Sequence, residues 1–261
     1  AIVARELGVP CIVGARTATK DLTDGMVVTV DGTHGRVLAG RVEEKKAGGA
    51  QTAPVTAVVA AEVTATKIYV NVAMPDKAEQ AAALDVDGVG LLRAELILED
   101  ALHNRHPRDL IAHGEQDSLV ESLATAVGRV AAAFSPRPVV YRASDFRTNE
   151  FRNLKGGAEY EPEEHNPMIG YRGCYRYISN PDLFDLELQA LARVREQNPN
   201  LHLMIPFVRT KWELEKCLEL VDASPLGRQR GLHRWVMAEV PSVVYWPPEY
   251  VGMGIDGETT G

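Results

Sequence analysis

From Lys67 onward, short apolar runs alternate with segments whose apolar residues recur at helical spacing, and no other feature constrains the fold as much. The runs are KIYVNVA at 67–73, GVGLLR from Gly88 to Arg93, PVVYRAS from Pro138 to Ser144, LHLMIPFV from Leu201 to Val208, and RWVMAEVPS from Arg234 to Ser242. Between them, Asp76 to Leu84, Ser118 to Phe134, Pro181 to Gln197 and Lys211 to Val221 read as helices. Such alternation implies parallel strands joined by right-handed crossovers. Arg93, Arg142, Arg209 and Glu239 fall at strand ends, as in a (β/α)-barrel whose chemistry lies at the C-terminal rim. The expected fold is therefore α/β, a (β/α)8-type TIM barrel truncated after about five strands. A doubly wound open sheet is the alternative.

Residues 1–42 have a different texture. AIVARELG reads as a helix ended by Gly8 and Pro10, CIVG as a short buried strand, and Leu22 to Gly25 as a turn. MVVTVDGTHGRVLAG supplies two strands joined at Asp31-Gly32 or His34-Gly35. This is the tail of a small α/β domain, too short to hold a core alone. Residues 43–66, with Glu43-Glu44-Lys45-Lys46 followed by Ala, Gly, Val and Thr, read as a linker, partly helical around Val58 to Glu62. The expected organisation is 1–42, a linker at 43–66, and a barrel domain over 67–261.

Composition narrows the classes of function. With 28 Lys+Arg against 36 Asp+Glu, the formal net charge is −8, which argues against a general nucleic-acid binder. Cys11, Cys174 and Cys217 are too few for a disulfide framework and lack CxxC spacing. No apolar run reaches the roughly 18 residues of a membrane span, and the first residues lack the pattern of a signal peptide. A cytoplasmic setting is expected, without membrane or nucleic-acid partners.

Four segments carry polar chemistry. Gly88 to Glu95 ends a buried strand in Arg93, whose plain alternative is a structural pair with Glu95. Arg142 to Glu150 brings a second Arg to the next strand end. Guanidinium donors form a rigid fork that fits carboxylate and phosphate oxygens, so two at one rim suggest an anion pocket. Glu164 to Gly173 flanks Arg172 with glycines, and its alternative is a loop whose Arg holds carbonyls. Met237 to Ser242 puts Glu239 at the end of an apolar strand, where a carboxylate needs a cation partner. That partner is either a structural Arg or a hard ion such as Mg²⁺, with Mn²⁺ as a substitute.

These segments together resemble the phosphoenolpyruvate-utilising enzymes. AIVARELGVPCIVG is similar to the stretch after the phosphorylated histidine of their swivelling domain. GVGLLRAE, YRASDFRTNEF, NPMIGYRG, LMIPFVRT and AEVPS are similar to successive stretches of their phosphoenolpyruvate-binding barrel. Within the family, Ser144 to Glu150 and His106-Pro107-Arg108 resemble the synthase branch (pyruvate, water dikinase). Pyruvate, phosphate dikinase and enzyme I of the sugar phosphotransferase system are near alternatives. The resemblance implies conversion of pyruvate, ATP and water to phosphoenolpyruvate, AMP and phosphate through a phosphohistidine. It assigns Arg93 and Arg142 to phosphoryl and carboxylate oxygens, Arg172 to the transferring phosphoryl group, and Glu239 to Mg²⁺ beside the substrate. ATP would act through a domain absent from this sequence, and a homodimer is left open. The family's ATP-grasp region, phosphohistidine, second metal carboxylate and proton-donating Cys have no counterpart here. The sequence as given is therefore expected to be inactive alone and poorly stable. A non-catalytic anion-binding module and an aldolase-like lyase are the readings from other classes.

Overall fold

Six strands lie side by side in the larger unit because each apolar run is followed by a crossover long enough to return the chain to the same edge. The computed structural model describes residue 4 and residues 8–42 and 65–260, which fall into two units, 1–66 and 67–261. In the second unit the strands are β3 (Tyr69–Val72), β4 (Gly88–Arg93), β5 (Val139–Arg142), β6 (Leu201–Ile205), β7 (Arg234–Met237) and β8 (Gly257–Thr259). All neighbouring pairs are parallel, and the strands stand in chain order. A doubly wound sheet would reverse its strand order at a switch point, so that alternative is excluded. The architecture is a curled, singly wound half-barrel.

The two faces of the sheet follow from the period of two. Val89, Leu92, Val139, Tyr141, Leu201, Leu203, Ile205 and Val236 face the helices in the main core. Leu91, Val140, Met204 and Met237 form a separate inner cluster with Trp235. In β4 the alternation slips, because the register shifts between Val89 and Leu92. On the outside, the helix Gln116–Phe134 buries Leu119, Val120, Leu123, Val127, Val130, Ala131 and Phe134, spacing that forms one apolar stripe. It packs against the helix Asp182–Arg195.

Several expectations need correction. The sheet has six strands, not five: β8 pairs Trp235 with Gly257, Val236 with Glu258 and Met237 with Thr259. Gly257 is required there, since a Cβ would lie 2.7 Å from the Trp235 ring. LHLMIPFV stops being a strand at Ile205, because Pro206 lacks an N–H and Phe207 takes φ +52°. RWVMAEVPS stops at Met237, and Pro241 instead opens a helix, Pro241–Tyr245. Further helices follow the strand ends, including Ala94–Leu102, Pro107–Ala112, Thr148–Arg152 and Gly173–Ser179.

The first unit contains a short helix, Ala18–Asp21, and an antiparallel hairpin of β1 (Val28–Asp31) and β2 (Arg36–Ala39). The Asp31 carboxylate accepts the His34 N–H at 3.1 Å and closes the turn. CIVG is not a buried strand. Residues 11–14 have no regular structure and only Ile12 is partly covered, since no strand among the described residues pairs with them. The helix expected over residues 1–8 falls almost wholly outside the described residues, as does the linker at 43–66 with its helix around Val58 to Glu62. Among the described residues no helix is long and apolar enough to cross a membrane.

Candidate functional site

Two residues beyond the inner-face side chains Leu91, Val140 and Met237 come Arg93, Arg142 and Glu239, so the period of two carries all three toward the same rim. Arg93 and Arg142 are direct partners in the β4–β5 register. Like charges opposite one another on neighbouring strands repel, and only one of these two is neutralised. Arg142, 11% exposed at its side chain, donates through Nη2 to Glu95. Glu95 opens the helix after β4 and also accepts the Asp145 N–H at 2.9 Å. The pairing of Arg93 with Glu95 is thus replaced by a pairing with Arg142. Among the described residues, Arg93 makes no side-chain hydrogen bond or ion pair. The Arg142 Nε is buried and also lacks an acceptor. Burial disfavours the Arg142 cation, but Glu95 and Asp145 outweigh it and raise its pKa.

Arg172 reaches the rim from the loop before the helix Gly173–Ser179. Its fork grips Asp145, with Nε 2.9 Å from Oδ1 and Nη2 2.5 Å from Oδ2. Nη1 donates to the Met168 carbonyl at 3.0 Å, and the guanidinium stacks 4.3 Å from the Phe207 ring centroid. The Arg209 guanidinium lies 4.6 Å from the same ring centroid and donates to the Gly170 and Ile169 carbonyls. Arg209 and Arg172 thus both hold carbonyls of this loop. Gly173 has φ +54°, and a Cβ there would meet the Phe207 Cβ at 2.6 Å, so only glycine permits this approach.

Glu239 is exposed and accepts the Phe207 N–H at 3.1 Å. Among the described residues it has no ion pair. Burial raises its pKa first and repulsion from Asp145 second, against the Phe207 N–H, Arg142 and Arg172. Carboxylate oxygens are the ligand type that hard cations take. The donor set is small, since no cluster of three or more His, Cys, Asp or Glu suited to a metal occurs among the described residues. A cation at Glu239 would take its remaining ligands from water or substrate oxygens.

Other residues lie apart from the rim. His165 is exposed. His106 is buried, with Nε2 3.0 Å from Glu161, and its Nδ1 accepts the Arg108 N–H at 3.2 Å, which fixes the proton on Nε2. Its role there is structural. Below the rim, the concave face opens into a cavity of about 540 Å³ lined by Tyr69, Leu91, Val140, Met204 and Trp235 among others. Sequence reading missed Phe207 and Glu187. For Glu187 a signal existed, because it shares the buried stripe of its helix with Phe184, Leu188 and Leu191.

Comparison with known proteins adds two family matches. The model described as PEP-utilising enzyme, PEP-binding domain, matches residues 46–254. That described as PEP-utilising enzyme, mobile domain, matches residues 1–35. The chain is 45% identical over 273 residues to the phosphoenolpyruvate synthase of Aeropyrum pernix, covering 100% of this chain and 33% of that protein. It is 44% identical over 264 residues to that of Pyrococcus furiosus, with 98% and 32% covered. To that of Deinococcus radiodurans it is 40% identical over 288 residues, with 100% and 36% covered. The chain spans about a third of the length of these curated relatives.

Proposed function

The chain belongs to the phosphoenolpyruvate-utilising enzymes, and on that premise we propose that its half-barrel rim binds phosphoenolpyruvate and pyruvate as part of a phosphoenolpyruvate synthase. The overall reaction would convert pyruvate, ATP and water to phosphoenolpyruvate, AMP and phosphate. The names of its relatives support this reading, and so does the chemistry of the rim. The observation that carries it is the register pair Arg93 and Arg142 at neighbouring strand ends, of which only Arg142 is ion-paired among the described residues, to Glu95. A dianionic ligand would supply the partner that Arg93 lacks among the described residues.

In this reading Arg93 binds and orients the carboxylate or phosphoryl oxygens, and Arg142, held by Glu95, adds its charge beside the same anion. Arg172, held rigid by Asp145 and Phe207, contributes charge at the edge of the site without swinging. Phosphoryl transfer depends mainly on such positioning and charge stabilisation. Glu239 is the residue that would hold Mg²⁺ or Mn²⁺, with Phe207 N–H fixing one of its oxygens. When bound, the cation supplies Lewis-acid chemistry. ATP would be used by a part of the protein other than the two units described.

The test is calorimetric titration of phosphoenolpyruvate into the full-length protein and its Arg93→Gln variant. Loss of one charge-assisted contact should weaken binding by about tenfold or more. Equal affinity in the two proteins would refute the assignment of Arg93. Pyruvate-dependent AMP formation from ATP tests the reaction itself.

A further inference from the structure

Behind the rim, on the outer side of β5, a carboxyl sits where the pattern calls for an apolar residue. Glu187 is 0% exposed, between Phe184 and Leu188 on the buried face of the helix Asp182–Arg195. No cation among the described residues pairs with it. Instead it accepts the Tyr141 hydroxyl at 2.8 Å and the Ser144 N–H at 3.0 Å, and it bonds the Ser144 hydroxyl. Tyr177 donates its hydroxyl to the Ser144 carbonyl. One residue is thus held at its side chain, its N–H and its C=O.

Ser144 separates Arg142 from Asp145, and those two bring the cations to the rim. Arg142 is held by Glu95, and Asp145 gives its N–H to the same Glu95 and its carboxylate to Arg172. Fixing Ser144 therefore fixes the spacing between Arg142 and Arg172. We propose that Glu187 is a positioning residue of the anion site, acting through Ser144 to hold the turn that carries Arg142 and Asp145. A purely structural residue at this helix position would be served better by an apolar side chain, since a buried carboxyl without a cation is costly. Burial accordingly pushes the Glu187 carboxyl up to about 7, against the pull of Ser144 and Tyr141. The identity of the anion rests on the phosphoenolpyruvate reading above; the fixing of the turn does not.

The experiment compares the full-length wild type with Glu187→Leu, Glu187→Gln and, as a control on the same helix, Leu188→Ala. Amide hydrogen exchange over residues 141–147 and phosphoenolpyruvate affinity by calorimetry are the two readouts. Glu187→Leu should speed exchange at Ser144 and Asp145 and weaken affinity, each by about tenfold, the size expected for a lost buried hydrogen bond. Glu187→Gln, which keeps an acceptor for the Ser144 N–H, should recover most of both. Leu188→Ala should lower the melting temperature yet leave affinity within about twofold. Unchanged exchange in Glu187→Leu would overturn the proposal, as would unchanged affinity or an equal loss in the control. Should Glu187→Leu fail to fold, a double-mutant cycle of Glu187→Gln with Ser144→Ala decides. Non-additive affinity losses support action through Ser144, and additive ones overturn it. If the wild type does not bind phosphoenolpyruvate, the functional reading fails, while the exchange measurement still decides whether Glu187 holds the turn.

Discussion

The same buried carboxyl makes stability depend on pH in a direction opposite to that of most acidic side chains. In the folded protein Glu187 is pushed from 4.5 up to about 7, chiefly by burial, with Glu95 adding repulsion. The Ser144 hydroxyl, the Ser144 N–H and the Tyr141 hydroxyl pull the other way. An acid with a raised folded value keeps its proton after the unfolded chain has released it. Its contribution to stability is therefore fully present below about 4.5, falls as pH rises, and levels off above about 7. At about 1.4 kcal/mol per pH unit, the whole window amounts to about 3 kcal/mol. Glu187→Gln cannot ionise, so the difference between wild type and variant isolates this one group. Urea unfolding of both proteins from about pH 4 to about pH 8 should show the wild type losing about 3 kcal/mol relative to the variant. Tyr141→Phe removes one donor to the carboxylate and should extend the upper edge of the window to higher pH. A flat difference curve would show that Glu187 is hydrated or ordinarily ionised. A curve rising with pH would show that its three donors outweigh burial.

Arg142→Lys keeps the charge but loses the fork shared between Glu95 and the anion. Phosphoenolpyruvate affinity should fall at least about tenfold in calorimetry, and near-normal binding would make Arg142 structural only. Glu239→Gln should weaken Mn²⁺ binding, followed by electron paramagnetic resonance, by about tenfold or more, because the variant leaves a neutral amide for a hard cation; unchanged Mn²⁺ affinity would move the cation elsewhere. His202 should titrate at about 4, as burial, then His233 and Arg195, disfavour its charge. Stability from this group is lost as pH falls from about 6.5 toward about 4. An imidazole NMR titration with its midpoint near 6.5 would show that His202 is solvated.

Strands were legible where their side chains alone decide the pairing, and illegible where the partner decides it. β4 to β7 are apolar runs that must be buried on both faces, so composition announces them. β8 is Gly-Glu-Thr, with no apolar residue. It exists because its backbone completes the ladder of β7 and because Gly257 leaves room for the Trp235 ring. The helices after the strand ends span five to nine residues in Thr148–Arg152, Gly173–Ser179 and Ala94–Leu102, too few turns to display a period. At the rim, the cations could be read from their place at strand ends, but their partners could not. Glu95 is two residues from Arg93, yet it opens a helix, and the change of backbone direction turns it toward the neighbouring strand and Arg142.

Glu187 exposes a different kind of limit. A charged residue on the apolar stripe of an amphipathic helix conflicts with its own pattern, and such conflicts tend to mark function or strain. Position 187 is readable as a conflict from sequence once the helix is recognised. What resolves it lies 43 residues away at Ser144 and 46 away at Tyr141, in β5 and the turn just after it. The carboxyl therefore has no satisfied state until β5 is seated against the helix, and the rim arginines have no fixed spacing until the carboxyl is satisfied. The proposed anion site therefore depends on the contact between this helix and the β5 end as well as on the sheet. Partial unfolding that lifts Asp182–Arg195 off β5 should abolish anion binding before the strands themselves separate. Hydrogen exchange of the β5 amides in the presence and absence of phosphoenolpyruvate checks this. Ligand should protect residues 141–147 and the helix 182–195 together, and protection confined to one of them would break the link.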